Sequence, residues 1–127
     1  MSFPTAAKTM SFIITRDRAR SRKFYGETLG FKQTGEDDFA AVFDLNGVML
    51  RITTVKDHQP SPHTVLGWEV KDIAAEMTLL VARGVKFQIY EGFGQDAQGV
   101  WTSPDGVAKV AWFLDPDGNN LSLAQFS

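Results

Sequence analysis

The sequence predicts an α+β fold built from two tandem β-α-β-β-β modules, and three observations predict it. First, one pattern of punctuation occurs twice. The first copy runs from Asp17 through a helical stretch to Leu29-Gly30-Phe31 and closes on Asp44-Leu45-Asn46-Gly47-Val48-Met49-Leu50-Arg51-Ile52. The second runs from Asp72 to Arg83-Gly84-Val85 and closes on Asp115-Pro116-Asp117-Gly118-Asn119-Asn120-Leu121-Ser122-Leu123. Gly30 follows Asp17 by 13 positions, and Gly84 follows Asp72 by 12. Second, an apolar strand-like run precedes each Asp, and short strand-like runs follow each Gly. Third, 127 residues at 43% hydrophobic suit one compact domain, residues 1–127, or two small fused halves. Either half alone buries too little surface, so the halves must share a core or pack on a partner. The modules span residues 9–55 and 64–126. Such a repeat places equivalent positions around one shared centre.

Each element has a local reason. Thr9 to Thr15 is an apolar, β-branched strand. Asp17 caps the next helix, and Phe24, Tyr25, Thr28 and Leu29 form its apolar stripe. Arg18, Arg20, Arg22 and Lys23 make its other face basic, which suits a solvated helix face better than a phosphate patch. Gly30 stops the helix in a left-handed conformation. Phe31 to Gly35 is a weak strand. Phe39 to Leu45 and Val48 to Val55 flank Asn46-Gly47, the strongest hairpin signal in the chain. Lys56 to His63 is a polar linker with two prolines. Thr64 to Val70 is a strand. Asp72 caps a helix with Ile73, Met77, Leu80 and Val81 at helical spacing, and Gly84 ends it. Lys86 to Tyr90 reads as a strand. Glu91 to Gly99 is a Gly-rich loop without phosphate-loop spacing. Val100 to Ser103, Val107 to Leu114 and Leu121 to Gln125 complete the second module.

Composition removes several functions. The net charge is −2, so nothing draws the chain to nucleic acid or to an anionic membrane. No Cys is present, which excludes disulfides, thiolate metal sites and a cysteine nucleophile. No apolar run approaches the ~18 residues of a membrane span, and the N-terminus lacks a signal-peptide core. A soluble, cytoplasmic protein is the expectation. There is no G-x-S-x-G elbow. Asp105 and Asp115 read as turn residues.

The ordered set of Asp17, Ser21 and Phe24-Tyr25 before Leu29-Gly30-Phe31, then Asp72, Gly84-Val85 and Asp115-Pro116-Asp117-Gly118, resembles the vicinal oxygen chelate superfamily. Glyoxalase I, extradiol dioxygenases and the fosfomycin- and bleomycin-resistance proteins belong to it. The resemblance spans nearly the whole chain and is specific for fold rather than reaction. It implies that each module curls into half of an incomplete, glyoxalase-like barrel. It also implies a metal held by His, Gln or Glu on the first and last strands of the modules. The corresponding positions here are Met10 and Val65, seven residues before each helix-opening Asp, and Arg51 and Ser122, after the Leu of each closing element. Met is a soft thioether, Val cannot ligate, Arg is a permanent cation and a lone Ser is a poor anchor. The only histidines, His58 and His63, lie in the linker. No metal or other cofactor is therefore expected.

With Arg51 at a ligand-like position, strand alternation turns Met49 and Thr53 the same way, and Leu50 and Ile52 toward the helix. Met10, Phe12 and Ile14, then Val65, Gly67 and Glu69, turn inward on the first strands of the modules, which sends Trp68 to the helix side. The resemblance puts Val110 and Trp112 inward, with Phe43 as a neighbour. The expected cavity is apolar and aromatic with one cation, Arg51, paired either with Glu69 or with a ligand anion. Arg51, Phe12, Phe43, Glu69, Trp101 and Trp112 are the expected ligand contacts. Glu69 is also the one inward carboxylate able to act as a general base, given a raised pKa.

The leading expectation is a bleomycin-resistance-like protein that binds a small aromatic or anionic molecule, without a metal. The alternatives are a metal-dependent glyoxalase-like lyase, isomerase or dioxygenase with atypical ligands, and a homodimeric structural relic. The resemblance further implies a homodimer, since an open curved sheet leaves edges that need cover.

Overall fold

The computed structural model describes residues 4–127. The chain divides into two compact units, Met1–His58 and Gln59–Ser127.

In the first unit, β1 (Met10–Thr15) leads through Asp17 into α1 (Arg18–Lys23) and a π-helical turn (Phe24–Thr28). Three strands follow: β2 (Lys32–Glu36), β3 (Ala40–Leu45) and β4 (Val48–Thr54). They form a sheet of order β1-β4-β3-β2, with β1 parallel to β4 and the others antiparallel. The Asp17 carboxylate accepts the Arg20 N–H at 3.2 Å, so the cap expected from sequence is present. The helix is not uniform, because after six residues it widens into the π turn. Leu29 N–H reaches back to the Phe24 carbonyl at 2.9 Å, and Gly30, at φ 83°, ends it. Asn46 and Gly47 hold φ of 53° and 100°, the pair a two-residue hairpin turn requires. Asp44 closes that turn by accepting the Gly47 N–H at 2.8 Å.

Register decides which side chains meet. Leu50 and Ile52 are fully buried, as are Ala41 and Ile13, and with Tyr25 they form the core under the helix. Each Leu or Ile buried there is worth about 1.5–3 kcal/mol. Pairing of Phe12 with Arg51 and Met10 with Met49 places the odd-numbered β4 residues on the opposite, open face.

The second unit repeats the topology. β5 (Thr64–Glu69), α2 (Ile73–Ala82), β6 (Trp101–Thr102), β7 (Ala108–Leu114) and β8 (Asn120–Phe126) form a sheet of order β5-β8-β7-β6, with β5 parallel to β8. Asp72 accepts the Ala75 N–H at 3.1 Å, and Gly84 ends α2 at φ 93°. Ile73, Met77 and Leu80 bury one face of α2, with Phe113, Ala111, Leu121 and Leu123 in the same core set. The strand expected over Lys86 to Tyr90 is not formed. Only a single bridge joins Phe87 to Phe113, and Gln88 N–H donates to the Trp112 carbonyl at 2.8 Å. The Gln95 side chain takes the other main-chain groups there: it receives the Tyr90 N–H and donates to the Gln88 carbonyl. A side chain thus replaces the neighbouring strand.

Among the described residues, no helix is long and apolar enough to cross a membrane.

Candidate functional site

The open face of the first sheet is apolar around one cation. Phe12 is 57% exposed, Met10 45% and Met49 42%, and Arg51 stands between Phe12 on β1 and Val42 on β3. Three large apolar side chains left in water on one face are a cost unless something covers them. Arg51 is partly buried, and its Nη2 donates to Asp37 Oδ2 at 2.9 Å. Asp37 is fixed from its other oxygen, Oδ1, which accepts the N–H groups of Phe39 (2.9 Å) and Ala40 (2.8 Å) in the β2–β3 turn. The Arg51 hydrogen bond, then those two amides, hold the Asp37 carboxyl below the usual carboxylate range.

Two expectations need correction here. Glu69 was the internal partner foreseen for Arg51; the ion pair instead comes from Asp37, within the same unit. Phe43 was placed beside Arg51, but it pairs with Leu50, is 1% exposed and packs on the helix side, where its ring lies 3.5 Å from where a Cβ on Gly26 would stand. The two-residue turn is the reason. It pairs Leu45 with Val48, and counting back gives Phe43 to Leu50 and Val42 to Arg51.

Two of the four cations of α1 are seated on one carboxylate. Arg22 and Arg18 bind the two oxygens of Glu36 at 2.7 and 3.1 Å, and Arg18 also donates to the Asp37 and Asp38 carbonyls. Arg22 first, then Arg18 and Gln33, hold the Glu36 carboxyl below its usual range. A carboxylate already seated on these guanidinium groups opposes a phosphate there.

The open face of the second sheet is aromatic. Trp112 pairs with Ser122, Trp101 with Val110, and Gly67 with Ser122, so these share a face, while Trp68 stacks on Phe113 on the helix side at 6.4 Å. Trp112 meets Tyr90 at 6.0 Å and Phe93 at 5.5 Å, both edge-on. Tyr90 is positioned through its hydroxyl, which accepts from Asn120 Nδ2 at 3.0 Å, while Thr64 donates to Asn120 Oδ1 at 3.0 Å. Tyr90 and Phe93 were not foreseen. Their signal was one aromatic at the end of a strand-like run and one in the Gly-rich loop, a pattern that names no partner. Val65 is 46% exposed, beside an interruption of the β5–β8 register. Glu69, opposite Ala124, is exposed.

The donor set does not fit a divalent metal. In the first unit, the expected positions are a thioether, Met10, and a guanidinium, Arg51, already tied to a carboxylate. In the second they are an alkyl group, Val65, and a neutral hydroxyl, Ser122. Among the described residues, no three His, Asp or Glu side chains are gathered as a ligand set.

Comparison with known proteins bears on the fold and the family. A search of curated proteins finds no match. Solved structures share the fold. A putative glyoxalase family protein from Bacillus anthracis is similar over 100% of both chains, at 16% identity and a TM-score of 0.76. A glyoxalase family protein from Enterococcus faecalis is similar over 94% of this chain and 98% of its own, at 19% identity and a TM-score of 0.74. A glyoxalase/bleomycin resistance protein/dioxygenase from Nocardioides is similar over 98% and 86%, at 18% identity and a TM-score of 0.72. At these identities the likeness speaks for the fold alone. A family model matches residues 6–123, and with it the chain belongs to the Glyoxalase/Bleomycin resistance protein/Dioxygenase superfamily.

Proposed function

We propose that this protein binds a small aromatic or anionic molecule on the open face of the first sheet and works without the superfamily's divalent metal. One observation carries the reading: Arg51 stands on an exposed apolar face with Phe12 and Met49 about it, and one guanidinium edge is committed to Asp37. A guanidinium has five N–H donors in a planar fork, so the remaining edge suits a ligand carboxylate. Asp37 orients the fork and tempers its charge. The second sheet, taken by itself, offers a separate apolar surface of Trp112 and Trp101 with Tyr90 and Phe93. A metal-dependent lyase or dioxygenase lacks support from the donor set. The same reading includes a cytoplasmic location and a homodimer, and sedimentation at micromolar concentration checks the homodimer.

The test is calorimetry with matched probes, 2-naphthoate and 2-naphthamide. Arg51→Met keeps side-chain length and removes charge. It weakens the acid by about 1–3 kcal/mol, toward the low end because the pair is partly solvated, and changes the amide much less. Equal losses for both probes, or no binding of either to the native protein, defeat the reading.

A further inference from the structure

A groove of about 660 Å³ lies in the second unit, between α2 and the segment 86–100, away from the open sheet face. Its walls are Met77 and Val81 from α2, Val85 just after the helix, and Phe87, Ile89 and Val100 from the segment. The volume falls within the ~300–1,000 Å³ of small-molecule sites.

Three features separate this groove from an ordinary crevice. The helix is apolar beyond its core face: α2 has one charged residue, Glu76, in ten, and Val81 is 57% exposed. The far wall is preformed rather than loose. Gln95 Nε2 donates to the Gln88 and Gly99 carbonyls at 2.9 and 2.7 Å, and Gln95 Oε1 accepts the Tyr90 N–H at 2.7 Å. Ile89 is held 61% exposed within that framework. Finally, the two charged lining residues are not equivalent. Asp96 Oδ1 accepts the N–H groups of Gln98, Gly99 and Val100 at 2.9–3.0 Å, which turns that oxygen toward the loop's own amides. Lys86 has no carboxylate partner among the described residues.

We propose that this groove is a second binding site, for an apolar monocarboxylate whose hydrocarbon lies along Val81, Phe87 and Ile89 and whose carboxylate pairs with Lys86. The site is independent of Arg51. A cation finds only Asp96, already hydrogen-bonded three times, and a neutral chain gains the apolar contacts without the ion pair.

The experiment is an amide NMR titration of the full chain with octanoate, 1-octanol and octylamine. Octanoate gives saturable shifts at Val81, Val85 and Ile89 and binds about fivefold tighter than octanol, the scale of a solvated, charge-assisted pair. Lys86→Gln brings octanoate down to the octanol level. Val81→Glu, at an exposed helix position that keeps the native spectrum, removes both. Arg51→Met leaves the groove shifts unchanged, which separates this site from the sheet-face reading. Four outcomes overturn the proposal: octylamine binding as tightly as octanoate, an unchanged acid-to-alcohol ratio in Lys86→Gln, shifts confined to the sheet face, or groove signals that depend on protein concentration without ligand, the mark of a second copy in the groove.

Discussion

At equivalent points of the two sheets, bulk and charge are exchanged. On the first sheet, Arg51 of the last strand stands between Phe12 and Val42. On the second, Ser122 stands between Gly67 and Trp112. The large side chain has moved from the first strand to the third, and the cation has gone. Gly67 leaves no room for a side chain of its own at the Phe12-like point: a Cβ there would meet the Ser122 hydroxyl at 2.5 Å and its carbonyl at 3.2 Å. The helices differ the same way, with α1 carrying four cations in six residues and α2 one anion in ten. Caps, helix stops and turns are what the copies keep, because backbone geometry depends on them. The open faces depend only on what they meet, so their chemistry is free to diverge.

The contrast between covered and open faces sets the largest expected effect. Phe113 is fully buried between Trp68 and Phe87, at 6.4 and 5.5 Å. Phe113→Ala costs about 3–5 kcal/mol. Trp112→Ala, one residue away on the open face and only partly buried, removes a larger ring for about 1–2 kcal/mol. Denaturation followed by circular dichroism reports both, and equal losses would mean the open face is core rather than binding surface.

The closing turns give the next effect. Both units end their last hairpin with an Asp, but Asp44 is exposed and accepts one N–H, from Gly47. Asp115 is buried and accepts the N–H groups of Asp117 and Asn119 and the Asn119 side-chain amide, at 2.8–3.0 Å. Asp115→Ala leaves buried donors unpaired and costs about 3 kcal/mol, while Asp44→Ala costs about 1 kcal/mol or less. Similar midpoints for the two variants in urea would show that the turns are energetically interchangeable.

How much of this was legible follows from the range of each rule. Caps at Asp17 and Asp72 and the Asn46-Gly47 turn depend on a few neighbouring residues, so the repeat and the topology were readable. Alternation along β1 and β4 placed Met10, Phe12, Met49 and Arg51 on one face, as found. Phe43 was misplaced although its signal was present, since the length of the turn fixes the pairing across it. Asp37 was not readable. It is one of three consecutive acids, Glu36-Asp37-Asp38, and only the fold shows that one turns to α1 and the next to Arg51. Tyr90 and Phe93 reach Trp112 through a loop shaped by Gln95 and Asp96 side chains, contacts without sequence period.

The smallest effect is the one that separates those acids. Glu36 and Asp37 in the first unit, and Asp105 in the second, hold folded pKa values below the usual 4.5 for Glu and 3.8 for Asp. The causes differ: Arg22 for Glu36, Arg51 for Asp37, and the Ser103 hydroxyl, at 2.6 Å, for Asp105. A depressed folded pKa means the unfolded chain binds the proton first as pH falls. The stabilisation is therefore complete above the usual values and is lost as pH drops through the folded ones. All three groups are exposed, so solvent screening keeps the effect small. Below pH 4.5 the melting temperature of the native protein falls. In the Glu36→Gln, Asp37→Asn double variant the acid slope flattens more than in Asp105→Asn, because two linked groups titrate in the first unit against one in the second. Carboxyl NMR titration assigns the protons independently. A slope unchanged in the double variant would place the acid sensitivity elsewhere and reduce the Arg51–Asp37 contact to a surface pair without energetic weight, leaving Arg51 with its full charge for a ligand.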